Sequence, residues 1–304
     1  MPALDRSPIA GDAAAADGAA NNGAQMSVVA IDVGQGDATL IVSPSGEAAL
    51  VDAGPPGQGE EAILPLISSL GVAKLDALIV THYHEDHFGG VPEVIHLLAS
   101  RGAVYDRGEP VRSPEGSRFS LYESAAAGRR VALHAGERIR LGDADLEVLA
   151  VGGLLPDGTQ VPLGDPHDEN AASVALLLEY SGFRMLIAGD ITGGGGTPPY
   201  ETPDVEGPLA PFVGDIDVLK VSHHGSKTST NAAFLAGTQP EVAIISVGDG
   251  NDHFHPHGQV VERLLDAGAA VYLTERGWLD VSGPEVRGGD IRIDVASDGS
   301  YEIR

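Results

Sequence analysis

The sequence predicts an α+β chain in which sheets pack on each other and helices lie outside. Three observations lead there. Short apolar runs punctuated by Gly and Asp begin near Met26 and recur to the end of the chain. One of them, 75–80, is continuously apolar, as expected of a strand covered on both faces. In each half, strands are followed by helices, a pattern that buries sheet against sheet and leaves helices as outer layers. A chain of 304 residues is long enough to bury a large core.

In order along the chain, 27–33, 38–42 and 47–51 read as successive strands joined by turns at 34–37 and 43–46. Residues 60–70 have helical spacing and stop at Gly71. After strand 75–80 come helices at 92–100 and 119–127. Strands at 131–134, 138–141 and 145–151 follow. Runs 173–180 and 183–188 form a hairpin across Ser181-Gly182. Later come strand 216–221, a short helix at 231–235, strand 242–247, helix 259–267, strand 270–274 and two or three terminal strands. Segments 152–170 and 192–214 read as irregular insertions. The first 25 residues are rich in Ala, Gly and Asp and read as a disordered tail. They lack the apolar run and basic start of a secretory signal. This leaves one folded domain at 26–304.

Charge and composition exclude several classes. The formal net charge is -26, from 44 acidic and 18 basic side chains, and Lys74, Lys220 and Lys227 are the only lysines. Such a surface repels nucleic acid and anionic membranes at low salt. It suits a salt-rich cytoplasm, where screening relieves the self-repulsion, so a halophilic, cytoplasmic protein is expected. No stretch approaches the roughly 20 apolar residues of a membrane helix. With no cysteine, disulfides and thiolate ligands are impossible. No obligate protein partner is evident.

The chemistry concentrates in Thr81-His82-Tyr83-His84-Glu85-Asp86-His87, directly after strand 75–80. Three imidazoles and a carboxylate in six residues are costly to hold together unless something binds them. Imidazole nitrogen mixed with carboxylate oxygen is a donor set for divalent transition metals. His82 and His84 can face one ion. Asp86 and His87, where the chain bends, can face a second.

This H-x-H-x-D-H run resembles the signature of the metallo-β-lactamase superfamily. Val51-Asp52-Ala53-Gly54, Ala188-Gly189-Asp190 and Val221-Ser222-His223-His224-Gly225-Ser226 resemble its other motifs, in order. The chain is similar in particular to the ComEC-type C-terminal hydrolase domain and its stand-alone relatives. That similarity rests on Asp32-Val33-Gly34-Gln35-Gly36-Asp37, on 217–227, and on 240–247 followed by His255-Pro256-His257.

The resemblance implies a four-layer αββα sandwich with two divalent ions, Zn or Mn, at one edge. Their ligands would be His82, His84, Asp86, His87, Asp190 as bridge, and one of His223 and His224. His224 is taken as the ligand, with His223 nearer the substrate. Asp52 would orient a metal-binding histidine through its free ring nitrogen. Where many members carry a third histidine for the first ion, Asn170 stands here. An amide is a weak zinc ligand, which favours a harder ion such as manganese; His167 reads as a surface-loop histidine, with substitution for the missing ligand as the alternative. The implied activity is hydrolysis by a metal-bound hydroxide, with Asp86, Asp190 and His223 as catalytic candidates. The expected substrate is a phosphodiester, nucleic acid or nucleotide. An ester, thioester, lactone or β-lactam is the alternative, and a metal-stabilised binding protein without catalysis is the third reading.

Ser226 and Lys227 precede a helix with Ser229 or Thr230 as N-cap, a setting for an anionic substrate or for a solvent-facing lysine. His253, His255 and His257 alternate. The match places His255 and His257 near the substrate cleft, with an accessory metal loop or an exposed polar loop as alternatives.

Overall fold

The computed structural model describes residues 25–108, 117–164, 168–196 and 201–304. His167 and positions 1–24 of the expected tail lie outside the described residues. Six strands open the chain: β1 (Met26–Ala30), β2 (Thr39–Val42), β3 (Ala48–Val51), β4 (Leu75–Ile79), β5 (Leu98–Asp106) and β6 (Arg130–Ala132). The next eight are β7 (Arg138–Leu141), β8 (Ala144–Ala150), β9 (Ala175–Tyr180), β10 (Phe183–Ile187), β11 (Val218–Lys220), β12 (Val242–Ile245), β13 (Ala270–Leu273) and β14 (Glu285–Val286). Strands β15 (Ile291–Val295) and β16 (Tyr301–Ile303) close it. The first sheet runs β16-β15-β1-β2-β3-β4-β5-β6 and the second β14-β13-β12-β11-β10-β9-β8-β7. The last two strands therefore return to the first sheet, where Val28 pairs with Ile293.

Period-two alternation assigns each face. Ile41 and Ile79 point between the sheets, meeting Leu146, Leu178, Met185 and Val218. Their neighbours Leu40 and Leu78 point outward to Ile63, Ile67, Val91 and Phe119. On the other side Leu186, Leu219 and Ile245 pack on Leu209, Phe234 and Leu264. These three cores separate four layers, helix, sheet, sheet, helix. The helices are α1 (Leu64–Ser69, continuing a π-turn at Gly59–Ile63), α2 (Glu85–Phe88), α3 (Val91–Val94) and α4 (Ser117–Ala125) on one side. On the other lie α5 (Glu206–Val213), α6 (Ala232–Thr238) and α7 (Gly258–Asp266).

Strands β3 and β4 run parallel, as do β10, β11 and β12. Parallel strands gather their C-terminal ends on one edge, where loops meet. Asp52, the 81–87 segment, Asp190, His224 and Ser246 all follow such ends.

Two elements differ from expectation. The helix expected at 92–100 ends in a 3-10 turn at Ile95–Leu97, and Leu98 opens β5. Gly102 and the polar Ser100-Arg101 disguised that strand, whose pairing with β4 shifts register between Leu75 and Ala77. Segment 192–214 contains α5 despite Gly207, Pro208 and Pro211. Burial of Leu209, Ala210 and Val213 outweighs the weak helix propensity of those residues.

Helix α5 also buries Glu206, whose carboxylate accepts from the N–H groups of Thr230 and Asn231 at 2.6 and 2.8 Å. Burial pushes its pKa up to about 8 against those two donors. Between its ordinary value of 4.5 and about 8 the folded chain keeps a proton that the unfolded chain has lost. Its stabilising contribution is therefore full at low pH and fades as pH rises through that interval. The unfolding midpoint of the parent should fall more steeply from pH 5 to 8 than that of Glu206→Gln. The variant is less stable throughout, because its amide turns N–H against an N–H donor. Equal slopes in thermal melts would discard this account.

Candidate metal centre

Three histidines, His82, His87 and His224, are aimed by a bond to Nδ1. Thr81 donates its backbone N–H and its hydroxyl to the two oxygens of Asp52, at 2.8 and 2.7 Å. The hydroxyl, already donating, accepts from His82 Nδ1 at 3.1 Å. Asp52 Oδ2 also accepts from His87 Nδ1 at 2.8 Å, and the Ser246 carbonyl accepts from His224 Nδ1 at 3.0 Å. With Nδ1 the donor in all three rings, Nε2 keeps its lone pair, unpartnered on His87 and His224 and 3.1 Å from His84 Nδ1 on His82.

These lone pairs converge in two clusters. His82, His84 and Asp190 form one, and Asp86, His87 and His224 the other, with the ligand atoms of each within 4.8 Å of one another. Asp190 faces both. Its Oδ1 lies 3.2 Å from His87 Nε2 and 3.8 Å from His224 Nε2, and its Oδ2 lies 3.8 Å from His82 Nε2. Asp86 Oδ2 stands 3.3 Å from His224 Nε2 and 3.9 Å from His87 Nε2. Each cluster takes two donors from segment 82–87 and a third from the second sheet.

The donor set fits divalent cations. His87 Nε2, His224 Nε2 and Asp190 Oδ1 are buried with no hydrogen-bond partner, a costly state unless a cation sits between them. Burial alone would neutralise Asp190. His87, His223 and His224 outweigh it and hold the acid well below the usual carboxylate range. Burial likewise disfavours a charged His87, yet Asp190, Asp52 and Asp86 raise its pKa well above normal. A field this negative attracts cations in general, protons included.

Tight backbone packing holds the ligands in place. His84 caps α2 in an extended conformation, and α2 then presents Asp86 and His87. The α2 turn is tied by Asp37 N–H to the Asp86 carbonyl at 3.0 Å and by Ala53 N–H to the His87 carbonyl at 2.7 Å. Gly189, at φ 50, must be glycine, since a Cβ would lie 2.6 Å from Thr81 Oγ1. His223 and His224 both sit at φ 52, a left-handed backbone that non-glycine residues seldom adopt. This sharp turn places His224 Nε2 in the second cluster. His223 lies at the cleft, with its Nε2 3.2 Å from Asn170 Nδ2. The cleft above the clusters holds about 460 Å³ and is lined by Gln35, His84, Glu85, Asp86, Asn170, Asp190, His223, His224, His253 and His255.

The sequence profile of the metallo-beta-lactamase superfamily matches residues 31–249, a span that carries every residue of both clusters. The chain belongs to this superfamily. Its metallo-β-lactamase fold is shared with YhfI of Bacillus subtilis, at TM-score 0.50 and 13% identity over 83% of this chain and 98% of that one. It is 30% identical to ComE operon protein 3 of Bacillus subtilis, over 81% of this chain and 31% of that protein. It is 31% identical to Recombination protein 2 of Haemophilus influenzae, over 77% of this chain and 26% of that protein. The chain thus spans less than a third of these curated relatives. Metallo-β-lactamase superfamily proteins are hydrolases that typically bind divalent metals, and the two His/Asp clusters provide for it.

Three residues assigned to substrate lie elsewhere. Ser226 is buried and bonds Thr228 Oγ1 at 3.1 Å. Lys227 and His257 line a neighbouring cleft of about 390 Å³ with Gly258, Gln259 and Glu262. His257 does lie beside His255, with ring centroids 5.2 Å apart, but it stands at the N-cap of α7 and borders the neighbouring cleft. The helix after Lys227 is capped by Asn231, whose side chain accepts from Phe234 N–H at 2.8 Å. Ser229 instead donates its hydroxyl to the carbonyls of Ser222 and Ser226.

Several supporting residues escaped the sequence reading. Thr81 and Ser246 aim rings, yet nothing but their place beside the motifs marks them. Glu169 binds Tyr83 N–H at 2.8 Å and Arg107 at 2.5 Å, bracing the loop that carries Asn170. A buried ion pair joins Lys220 to Asp37 at 2.5 Å. Both residues stood in quoted motifs without a role.

Proposed function

We propose that the chain is a phosphodiester hydrolase holding two divalent cations. The observation that carries this reading is Asp190, whose two oxygens face two separate clusters. Cations bound there lower the pKa of coordinated water toward neutrality and polarise a phosphoryl oxygen. His82, His84 and Asp190 would hold the first; Asp86, His87 and His224, with Asp190 beside them, would hold the second. Asp52 keeps His87, and through Thr81 also His82, in the ligating tautomer. Asn170, whose Oδ1 is buried without a partner, offers an amide oxygen beside the first cluster, which suits manganese better than zinc.

Burial lowers the pKa of His223, which keeps its ring neutral near pH 7. It is the group placed to take a proton from the attacking water and hand it to the leaving oxygen. His255 also borders the cleft as a neutral ring; its pKa falls to about 2 through burial and then the nearby His223, His224 and His257. Imidazoles and amides suit a charged diester in a chain otherwise strongly acidic. The names of the relatives, competence and recombination proteins among them, support a nucleic-acid substrate.

Elemental analysis beside turnover of bis-p-nitrophenyl phosphate, with Zn and with Mn, tests the proposal. Two ions per chain and diester cleavage are expected. Turnover of lactones or nitrocefin alone would move the chain to carboxyl chemistry, and loaded protein inert on every ester would make it a binding protein.

A further inference from the structure

Gln35 lies in the loop after β1 and has no part in the clusters, yet its side chain is fixed at the mouth of the cleft. Its Oε1 accepts from the Gly248 N–H at 3.3 Å. That donor can be met only by oxygen, so the amide cannot be flipped. Nε2 is thereby a donor of known direction. It is buried and has no acceptor, and Gln35 borders the cleft beside Asp86, Asn170, His224 and His255.

The backbone around Gln35 is clamped on two sides. A Cβ at Gly36 would lie 2.5 Å from the Asp86 carbonyl oxygen, and one at Gly248 would lie 2.2 Å from Gln35 N. The loop therefore touches both the α2 turn and the segment after β12, which fixes the Gln35 backbone. A rigid, buried N–H group without an acceptor awaits one.

Among the described residues, the cleft lining contains no lysine or arginine. A phosphodiester brings two non-bridging oxygens, and cations bound at the clusters would polarise one of them. The other needs a donor from protein. A carboxyl ester brings a single carbonyl oxygen and leaves no such acceptor. We propose that Gln35 is a substrate-contact residue whose Nε2 donates to the second non-bridging oxygen of a phosphodiester. This rests on the phosphodiester reading above and narrows what the site distinguishes.

Gln35→Glu is the informative variant. Its carboxylate still accepts from Gly248 but turns an anionic oxygen toward the substrate. The loaded variant should lose more than tenfold in kcat/KM on bis-p-nitrophenyl phosphate. Binding of inorganic phosphate, followed by calorimetry, should weaken in parallel. Gln35→Leu, which only deletes the donor, should lose less than Gln35→Glu. Metal content and unfolding midpoint should stay as in the parent. A parent active on diesters with both variants equal to it in turnover and phosphate binding overturns the inference alone. Loss of a cation in the variants would assign Gln35 to holding the Asp86 turn and overturn it as well. A parent that cleaves no diester and binds no phosphate overturns the proposed function and the inference together.

Discussion

Asp190→Ala is expected to lower turnover by on the order of 10³-fold or more, about 4 kcal/mol of barrier. It should also leave less than two ions per chain. The size follows from position. Each oxygen of this side chain serves a different cluster, so its loss opens both, whereas removing His84 would open one. The carboxylate also balances His87, which sits among Asp52, Asp86 and Asp190. Asp52→Ala makes the comparison, since it touches no cation and acts only through His87 and Thr81. Removing such a partner typically costs about 10- to 100-fold in metal affinity or activity. Steady-state rates and elemental analysis of the two variants check the ranking. An Asp190→Ala protein with parental turnover would rule out the two-cation reading.

The second large effect concerns stability. Lys220→Met should destabilise the chain by about 3–5 kcal/mol, the usual cost of leaving one member of a buried pair alone. Lys220 is 1% exposed and Asp37 is 4% exposed. Their contact joins β11 of the second sheet to the loop after β1 of the first. Without the ammonium, Asp37 is a bare charge near Asp52 and the cluster acids. Replacing both residues, in Asp37→Leu with Lys220→Met, should recover much of the loss, because no charge is then stranded. Urea unfolding of the two singles and the double measures the coupling. A single variant within 1 kcal/mol of the parent would show that the pair does not act as drawn. Because Asp37 N–H also holds the Asp86 carbonyl, the single variants should bind metal less tightly too.

Much of this molecule is legible in the sequence where its information is local. The strands show as short apolar runs between Gly and Asp turns, and five of the six cluster residues of segment 82–87 and the His223-His224 pair stand in recognisable motifs. Asp190 was singled out by the resemblance of Ala188-Gly189-Asp190 to a motif of the superfamily. What escaped depends on contacts that neighbouring residues do not encode. Helix α5 carries two prolines and a glycine and forms because Leu209 and Val213 find a core to enter. Strand β5 hides behind Ser100-Arg101-Gly102. The Lys220–Asp37 pair links positions 183 apart, and no local pattern announces it. Lys227 and His257 border the neighbouring cleft for a related reason: proximity in sequence to a ligand says little once a turn or a helix start redirects the side chain.

The two-to-one sharing of donors between segment 82–87 and the second sheet has a consequence for any severed form of the molecule. Cut within the irregular stretch between β8 and β9, the amino-terminal piece would keep a pair of donors for each ion and the carboxy-terminal piece only the odd ones. Neither piece is a dimmed version of the whole. Rejoined, they would be held together by any cation bound between their donors, so reassembly and cation uptake would arrive as a single event.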